Sequence, residues 1–405
     1  MPTATTPAAP LAGLIVADFS RILAGPLATM TLADLGARVI KVERPGRGDD
    51  TRQWNPPRSM TGSTYFESVN RNKESITLDL KDRTDLARAR KLALRADILV
   101  ENFKPDAMES LGLGYPDLAR ENPGLIYASI SGFGTAEGKH LPGYDFIAQA
   151  VGGLMSITGH PDGEPTKVGV ALVDVLTAKD ATIGILAALN QRNETGAGRH
   201  LQVNLLSSLQ GALANQGQAY LGAATTPQRM GNLHPSIVPY QLLTTADGPL
   251  AIAVGNDEQF ARLCSTIECP DLASDPRFAT NPERVRNHNA LVPLLENQLS
   301  REATGVWQQR LLSAGIPAGR VANIGEGIDF ARSLGLEPTI DVHDAKGHIV
   351  GKQIRHPISW NPVFPQRTQA PPDLGEHTVS VLEWLDEDIA PNNLPTEGLD
   401  QRSPR

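Results

Sequence analysis

Two carboxylates raise the first chemical question. Asp174 stands in the stretch KVGVALVDVLTAKDATIGILAALNQR, 167–192, which reads as a strand passing straight into a long helix. Asp145 follows Tyr144 at the start of a second helical segment, 144–155. An acid where a helix begins is a favoured N-cap, because its oxygen accepts an otherwise unpaired backbone N–H. The residue pattern alone leaves capping and chemistry both open at Asp174. Other familiar chemistries find no foothold. There is no GxxxxGK[ST] phosphate loop, no HExxH and no GxSxG. The nine histidines are dispersed, with no pair at metal-ligand spacing, so no metal is expected. Cys264 and Cys269 fit no common metal or redox motif. SGFGTAEG (131–138) follows a strand and resembles a dinucleotide loop, yet its third glycine falls one residue late and Pro142 opposes an immediate helix.

The elements that must hold these acids alternate. LIVADF (14–19), ARVIKVE (37–43), SITLDL (75–80), DILVEN (97–102) and LIYASIS (125–131) read as strands, with helices at 27–35 and 84–95 between them. Such alternation predicts a parallel sheet covered by helices, with ligands beyond the carboxyl ends of its strands. After QGQAYLG (216–222) the chain turns polar and Pro-rich. A hairpin at 240–255 and helices near 257–267, 284–300 and 303–314 predict a smaller second domain. The expected division is a large domain over 1–222, a small domain over 223–330, and a linker with return to the large domain over 331–405. The 405 residues carry a net charge of −8, which argues against nucleic acid as a partner. No stretch reaches the length of a membrane span, the start lacks a signal-peptide pattern, and two cysteines fit a reducing cytoplasm.

Several segments, in order, resemble the class III CoA-transferases, the family that includes formyl-CoA transferase, carnitine CoA-transferase and alpha-methylacyl-CoA racemase. They are DFSRILAGPLATMTLADLGARVIKVERPGRGDDTR (18–52), SVNRNKESITLDL (68–80), ENFKPDAMESLGLGY (101–115), GYDFIAQAVGGLMSITG (143–159), the 167–192 stretch and GNLHPSIVPYQLLTTADG (231–248). The likeness runs from about residue 11 to 385. GDDTRQW (48–54), STYFESVNRNK (63–73) and VRNHN (285–289) lean toward its dicarboxylate-handling members. The resemblance implies an α/β fold: a Rossmann-like large domain formed by both ends of the chain, a smaller α+β domain, and an interlocked homodimer.

It also implies roles. Asp174 matches the nucleophile, which attacks an acyl-CoA thioester and carries the CoA as an aspartyl thioester. The dipole of the 175–192 helix would keep it ionised, and unpaired N–H groups at the helix start would face the oxyanion. Tyr144 and Asp145 match the pair bordering the acyl pocket. Leu23, Ala24, Arg44, Asn72, Lys73, Asn102, Phe103 and Lys104 match the CoA-binding positions, and Gly231 and Asn232 a mobile loop over the acyl group. Bland readings stand beside these: helix starts for Tyr144 and Asp145, solvated surface charge for Arg44 and Lys73, a plain loop for Gly231, a surface imidazole for His234. Leu23 replaces a glutamine found in some members, and Ser110 falls where a basic residue is expected, with Lys104 as its substitute. No permanently bound cofactor is implied; acyl-CoA and a carboxylic acid are the substrates. The racemases carry His before the acid, where this chain has Tyr144, a phenol of ordinary pKa near ~10 and a poor base. The racemase, a CoA-binding protein without catalysis and a nicotinamide oxidoreductase are the rivals to a transferase.

Overall fold

The computed structural model describes residues 8–59 and 61–387. Along the chain the helices are α1 (Ala24–Asp34), α2 (Thr64–Glu67), α3 (Arg83–Arg95), α4 (Ala107–Ser110), α5 (Tyr115–Leu118), α6 (Asp145–Val151), α7 (Leu154–Ile157), α8 (Leu172–Thr195), α9 (Leu205–Ala212) and α10 (Ala214–Ala223). The strands among them are β1 (Ile15–Asp18), β2 (Arg38–Glu43), β3 (Lys73–Thr77), β4 (Ile98–Glu101), β5 (Ile126–Ser131) and β6 (His200–Asn204). Beyond residue 223 lie β7 (Tyr240–Thr244), β8 (Pro249–Ala253), α11 (Asp257–Thr266), α12 (Asp271–Ser274), α13 (Asn281–Arg286), α14 (His288–Leu299), α15 (Thr304–Ser313), β9 (Ala318–Arg320) and α16 (Ile324–Ser333). Then come β10 (Thr339–His343), β11 (Ile349–Ile354) and α17 (Thr378–Asp386).

β1 to β6 form one parallel sheet in the order β3-β2-β1-β4-β5-β6. Its strands are apolar on both sides because helices cover both faces. One face buries Val16, Val39, Ile98 and Ile126 against Ala28 and Leu32 of α1 and Ala181 and Ile185 of α8. The other buries Ile40, Ile76, Leu99 and Tyr127 against Leu92 of α3, Leu118 of α5 and Val381 of α17. The order reverses between β1 and β4, the point at which doubly wound sheets open a crevice at their carboxyl ends.

Two compact units divide the chain. The first runs through Gly152, takes Gly169–Gly217 and resumes at Glu337; the second comprises Gly153–Val168 and Gln218–Leu336. The excursion at 153–168 departs from an unbroken 1–222 domain: the Gly/Pro-rich run through Pro161, Pro165 and Gly169 leaves the first unit and returns. The second unit packs the antiparallel sheet β7-β8-β9 on α11, α14 and α15, burying Leu250, Phe260, Leu291, Leu295 and Trp307.

Residues 167–171 form no strand, contrary to the sequence expectation. The sixth strand is instead HLQVN, after α8, so α8 is the crossover that returns the chain from β5 to β6. The helix begins at Leu172 behind Ala171, which offers no side-chain cap, and stops at Gly196, whose φ of 69° provides the left-handed end that glycine adopts freely.

Candidate active site

With α8 starting at Leu172, Asp174 is the third helical residue and not the N-cap. The cap comes from elsewhere. Asp145, in the first turn of α6, accepts the Val173 N–H at 2.7 Å and the Asp174 N–H at 3.2 Å. Its other oxygen accepts from buried Gln149 at 2.6 Å. The neighbouring donors are occupied too: Leu172 N–H meets the Val170 carbonyl and Val175 N–H the Ala171 carbonyl. The expectation of unpaired N–H groups for an oxyanion at this helix start is therefore corrected. The expectation that the helix dipole keeps Asp174 ionised meets opposing surroundings. Burial first, and then the Asp145 charge, push its carboxyl up to about 7. The same surroundings act on Tyr65 of α2, where burial, then Asp174 and Asp145, push the phenol up to about 12. Tyr65 meets Trp54 edge-on at 4.9 Å. Neither aromatic is marked by spacing in the sequence: Tyr65 lies in STYFESVNRNK and Trp54 in GDDTRQW.

Close backbone contact sets the position of Asp145. Gly132, just after β5, faces Gly143: a Cβ on Gly132 would lie 2.3 Å from the Gly143 Cα. The SGFG run thus serves a tight crossing. It leads into a short 3-10 turn, Glu137–His140, without a helix N-terminus for a dinucleotide phosphate. Tyr144 is 62% exposed at the N-cap of α6.

A cavity of about 400 Å³ opens at the carboxyl ends of β1 to β4. Its walls include Phe19, Val42, Leu78, Leu80, Phe103 and Leu111, and its charged groups are Arg21, Lys41, Arg44 and Lys81 together with Glu43, Asp49 and Asp79. Apolar walls with a few cations suit a purine ring carrying phosphates. Of the expected CoA positions, Arg44 and Phe103 line it, as does Ser110. Arg44 is half exposed and paired to Asp50 at 2.5 Å. Leu78–Lys81 and Asp49 line it without having been anticipated; LDLK directly follows a strand end, a signal available in principle.

The remaining positions are placed elsewhere. Lys73 is fully buried, its ammonium donating to Asp18 at 3.1 Å, the Pro26 carbonyl at 2.9 Å and Asn70 at 2.9 Å, so all three donors are spent inside the fold. Asn72, also buried, donates to Asp34 and accepts the Gln369 N–H. These two read as CoA ligands and instead brace β3. Asn102 clamps Arg21, accepting its N–H at 2.9 Å and donating to its carbonyl at 2.7 Å. That clamp holds the turn in which Ile22 adopts φ 72°, a strained value for a β-branched residue. Leu23 and Ala24 are buried at the start of α1, outside the cavity lining, and Lys104 is exposed. Gly231, at φ 61°, and Asn232 are exposed in the second unit, where the Gly231 N–H meets the Gly159 carbonyl. His234 packs on Tyr240 at 5.1 Å and accepts the Ser236 N–H. Among the described residues no group of His, Cys, Asp and Glu is placed to hold a metal ion, and no helix is long and apolar enough to cross a membrane.

The strand ends carry a cavity of nucleotide size, and the first turn of α8 a buried carboxylate stressed by a like charge. The chain belongs to CoA-transferase family III, whose model matches residues 11–378. It is an enzyme that transfers CoA. It is 42% identical to the succinyl-CoA:glutarate CoA-transferase of Mus musculus over 382 residues, 92% of this chain and 86% of that protein. It is 42% identical to the succinate–glutarate CoA-transferase of Agrobacterium fabrum over 390 residues, 93% of this chain and 96% of that protein. A crystal structure of a CAIB/BAIF family protein from Brucella suis superposes with a TM-score of 0.84 at 40% identity, covering 94% of this chain and all of that one.

Proposed function

We propose that the protein moves CoA from succinyl-CoA to a second dicarboxylate, glutarate foremost, with Asp174 as the covalent carrier. The named activities of the relatives support the substrate class. The observation that carries the mechanism is Asp174 itself, sheltered in the first turn of α8 by a remote cap. Its ionised carboxylate attacks the thioester carbonyl, forming a mixed anhydride and expelling CoA thiolate. The thiolate attacks the aspartyl carbonyl, giving the aspartyl-CoA thioester and freeing the first acid. The incoming carboxylate attacks that thioester, expels the thiolate again, and the thiolate takes the new acyl group from the second anhydride. One thioester is exchanged for another, so no other energy source is required.

The oxyanion of each step needs a donor beyond the occupied helix N–H groups, and the Tyr65 phenol, kept protonated first by burial and then by the Asp174 and Asp145 charges, is the donor we assign. The cavity at the ends of β1 to β4 takes the adenine nucleotide of CoA, with Arg44 and Lys81 toward its phosphates. We further propose that two chains pair, interlocked. Ile183 on α8 is 65% exposed, Leu221 on α10 79% and Ile324 on α16 86%, more apolar helix surface than a lone chain keeps without a use. A racemase is disfavoured, since Tyr144 stands in place of an imidazole base.

The test is direct. Purified protein, succinyl-CoA and a panel of mono- and dicarboxylates are followed by mass spectrometry of the CoA products. Glutaryl-CoA is expected, with oxygen from ¹⁸O-labelled glutarate entering the Asp174 carboxylate during turnover. Asp174→Ala is expected to lose transfer while keeping the far-ultraviolet circular dichroism of the parent. Near-normal transfer in that variant ends the nucleophile assignment.

A further inference from the structure

The cavity wall made by Phe103, Ala107, Ser110 and Leu111 belongs to a segment that three adjacent strands pin from beneath. Glu101, at the end of β4, accepts the Phe103 N–H at 2.8 Å. Tyr127 of β5 donates its hydroxyl to the Leu113 carbonyl at 3.1 Å. His200 of β6 stacks on Tyr115 with centroids 5.0 Å apart. Ser129 ties the strands together. It is the register partner of Glu101, acts to favour its ionised form, and lies 2.9 Å from His200 Nε2. Glu101 is 7% exposed, and among the described residues no cation pairs with it. A buried carboxylate without a counter-charge is costly, and such groups concentrate where they serve function.

We propose that Glu101 is a positioning residue for the CoA moiety: its ionised carboxylate fixes the Phe103-to-Leu111 wall of the cavity, and taking up a proton loosens that wall. The inference rests on the cavity being the nucleotide site. The groups facing Glu101 are Ser129 and Tyr127 on β5, His200 on β6 and Glu109 on α4. Burial, aided by the Glu109 charge and opposed by the Ser129 and Phe103 hydrogen bonds, places its pKa at about 7. His200 is pushed down by burial and is neutral there.

The cluster satisfies either state. With Glu101 ionised, the Ser129 hydroxyl donates to it and the His200 Nε2–H donates to Ser129. With Glu101 protonated, its O–H donates to Ser129, which donates to the unprotonated Nε2. Only the grip on the Phe103 N–H changes, and a charge-assisted bond is about twice as strong as a neutral one.

Calorimetric titration of CoA into the wild type, Glu101→Gln and Arg44→Ala over about pH 6 to about pH 8.5 tests this. The wild-type Kd is expected to tighten about fivefold as pH rises through the Glu101 pKa, while Glu101→Gln keeps the weak value throughout. Titration of the CoA phosphate is common to both proteins and drops out of the comparison. A Glu101→Gln curve that tracks the wild type overturns the proposal. Ser129→Ala provides a second reading: losing a bond that favours the ionised form moves the midpoint upward, and an unmoved midpoint also overturns it. In turnover the KM for acyl-CoA follows Kd, and kcat retains the separate acid limb of Asp174. Arg44→Ala binding CoA normally removes the cavity reading itself. A weakened Arg44→Ala with an unaltered Glu101→Gln removes the positioning role alone.

Discussion

At Asp174 the surroundings oppose the charge that the proposed nucleophile requires. Burial and Asp145 hold its carboxyl at about 7, where half the molecules are protonated. A nucleophile must be ionised, so kcat is expected to rise about tenfold per pH unit below that point and to level off above it. Asp145→Asn removes the second cause and keeps an acceptor oxygen for the Val173 N–H. Its acid limb is therefore expected at lower pH, visible in a pH–rate profile. A limb that stays in place would show that burial alone sets the value. The two acids were legible from sequence as a pair, but not their relation. The caps at Val173 and Asp174 come from a residue in a different helix, a contact that spacing along the chain does not express. Lys73 shows the opposite failure. It sits at a strand start among polar residues, reads as exposed, and is consumed by Asp18 inside the fold.

At the scale of elements, the placement of α6 against α8 depends on a contact without side chains. Gly132 and Gly143 approach so closely that either Cβ would meet the other's Cα, at 2.3 or 2.5 Å. Gly132→Ala must push α6 and Asp145 off the start of α8. The expected result is a fall in kcat of tenfold or more, since misplacement of about 1 Å is costly in catalysis. Wild-type kcat would mean that Asp145 does not position Asp174. Five strands were readable, β3 from the alternating SITLDL at 75–80 although it spans Lys73–Thr77. β6 was not, because HLQVN lies half-covered at the edge of the sheet and carries polar residues on one side. The run before Asp174 is apolar but breaks at Gly169, and no neighbouring strand pairs with it.

For the whole molecule, interlocking has a consequence that simple pairing lacks: the chains cannot separate without unfolding. Two differently tagged preparations, folded separately and then mixed, are expected to elute at twice the chain mass and to form no mixed pairs under native conditions. Rapid exchange would rule out interlocking, and a monomer by light scattering would rule out the dimer. The exposed apolar surfaces of α8, α10 and α16 are what pairing would cover.

The sequence by itself determined the α/β alternation and the cavity's location at strand ends, while for Asp174 it left capping and chemistry both open until the family resemblance pointed to the second. Periodicity and local residue order are properties of the chain, and they survive without knowledge of its path. Only the tertiary structure decided which cations remain available to a ligand, which donors are already spent and why Glu101 lies beneath the cavity wall. Those facts depend on desolvation and on partners distant in sequence, and both come into being only when the strands are brought side by side.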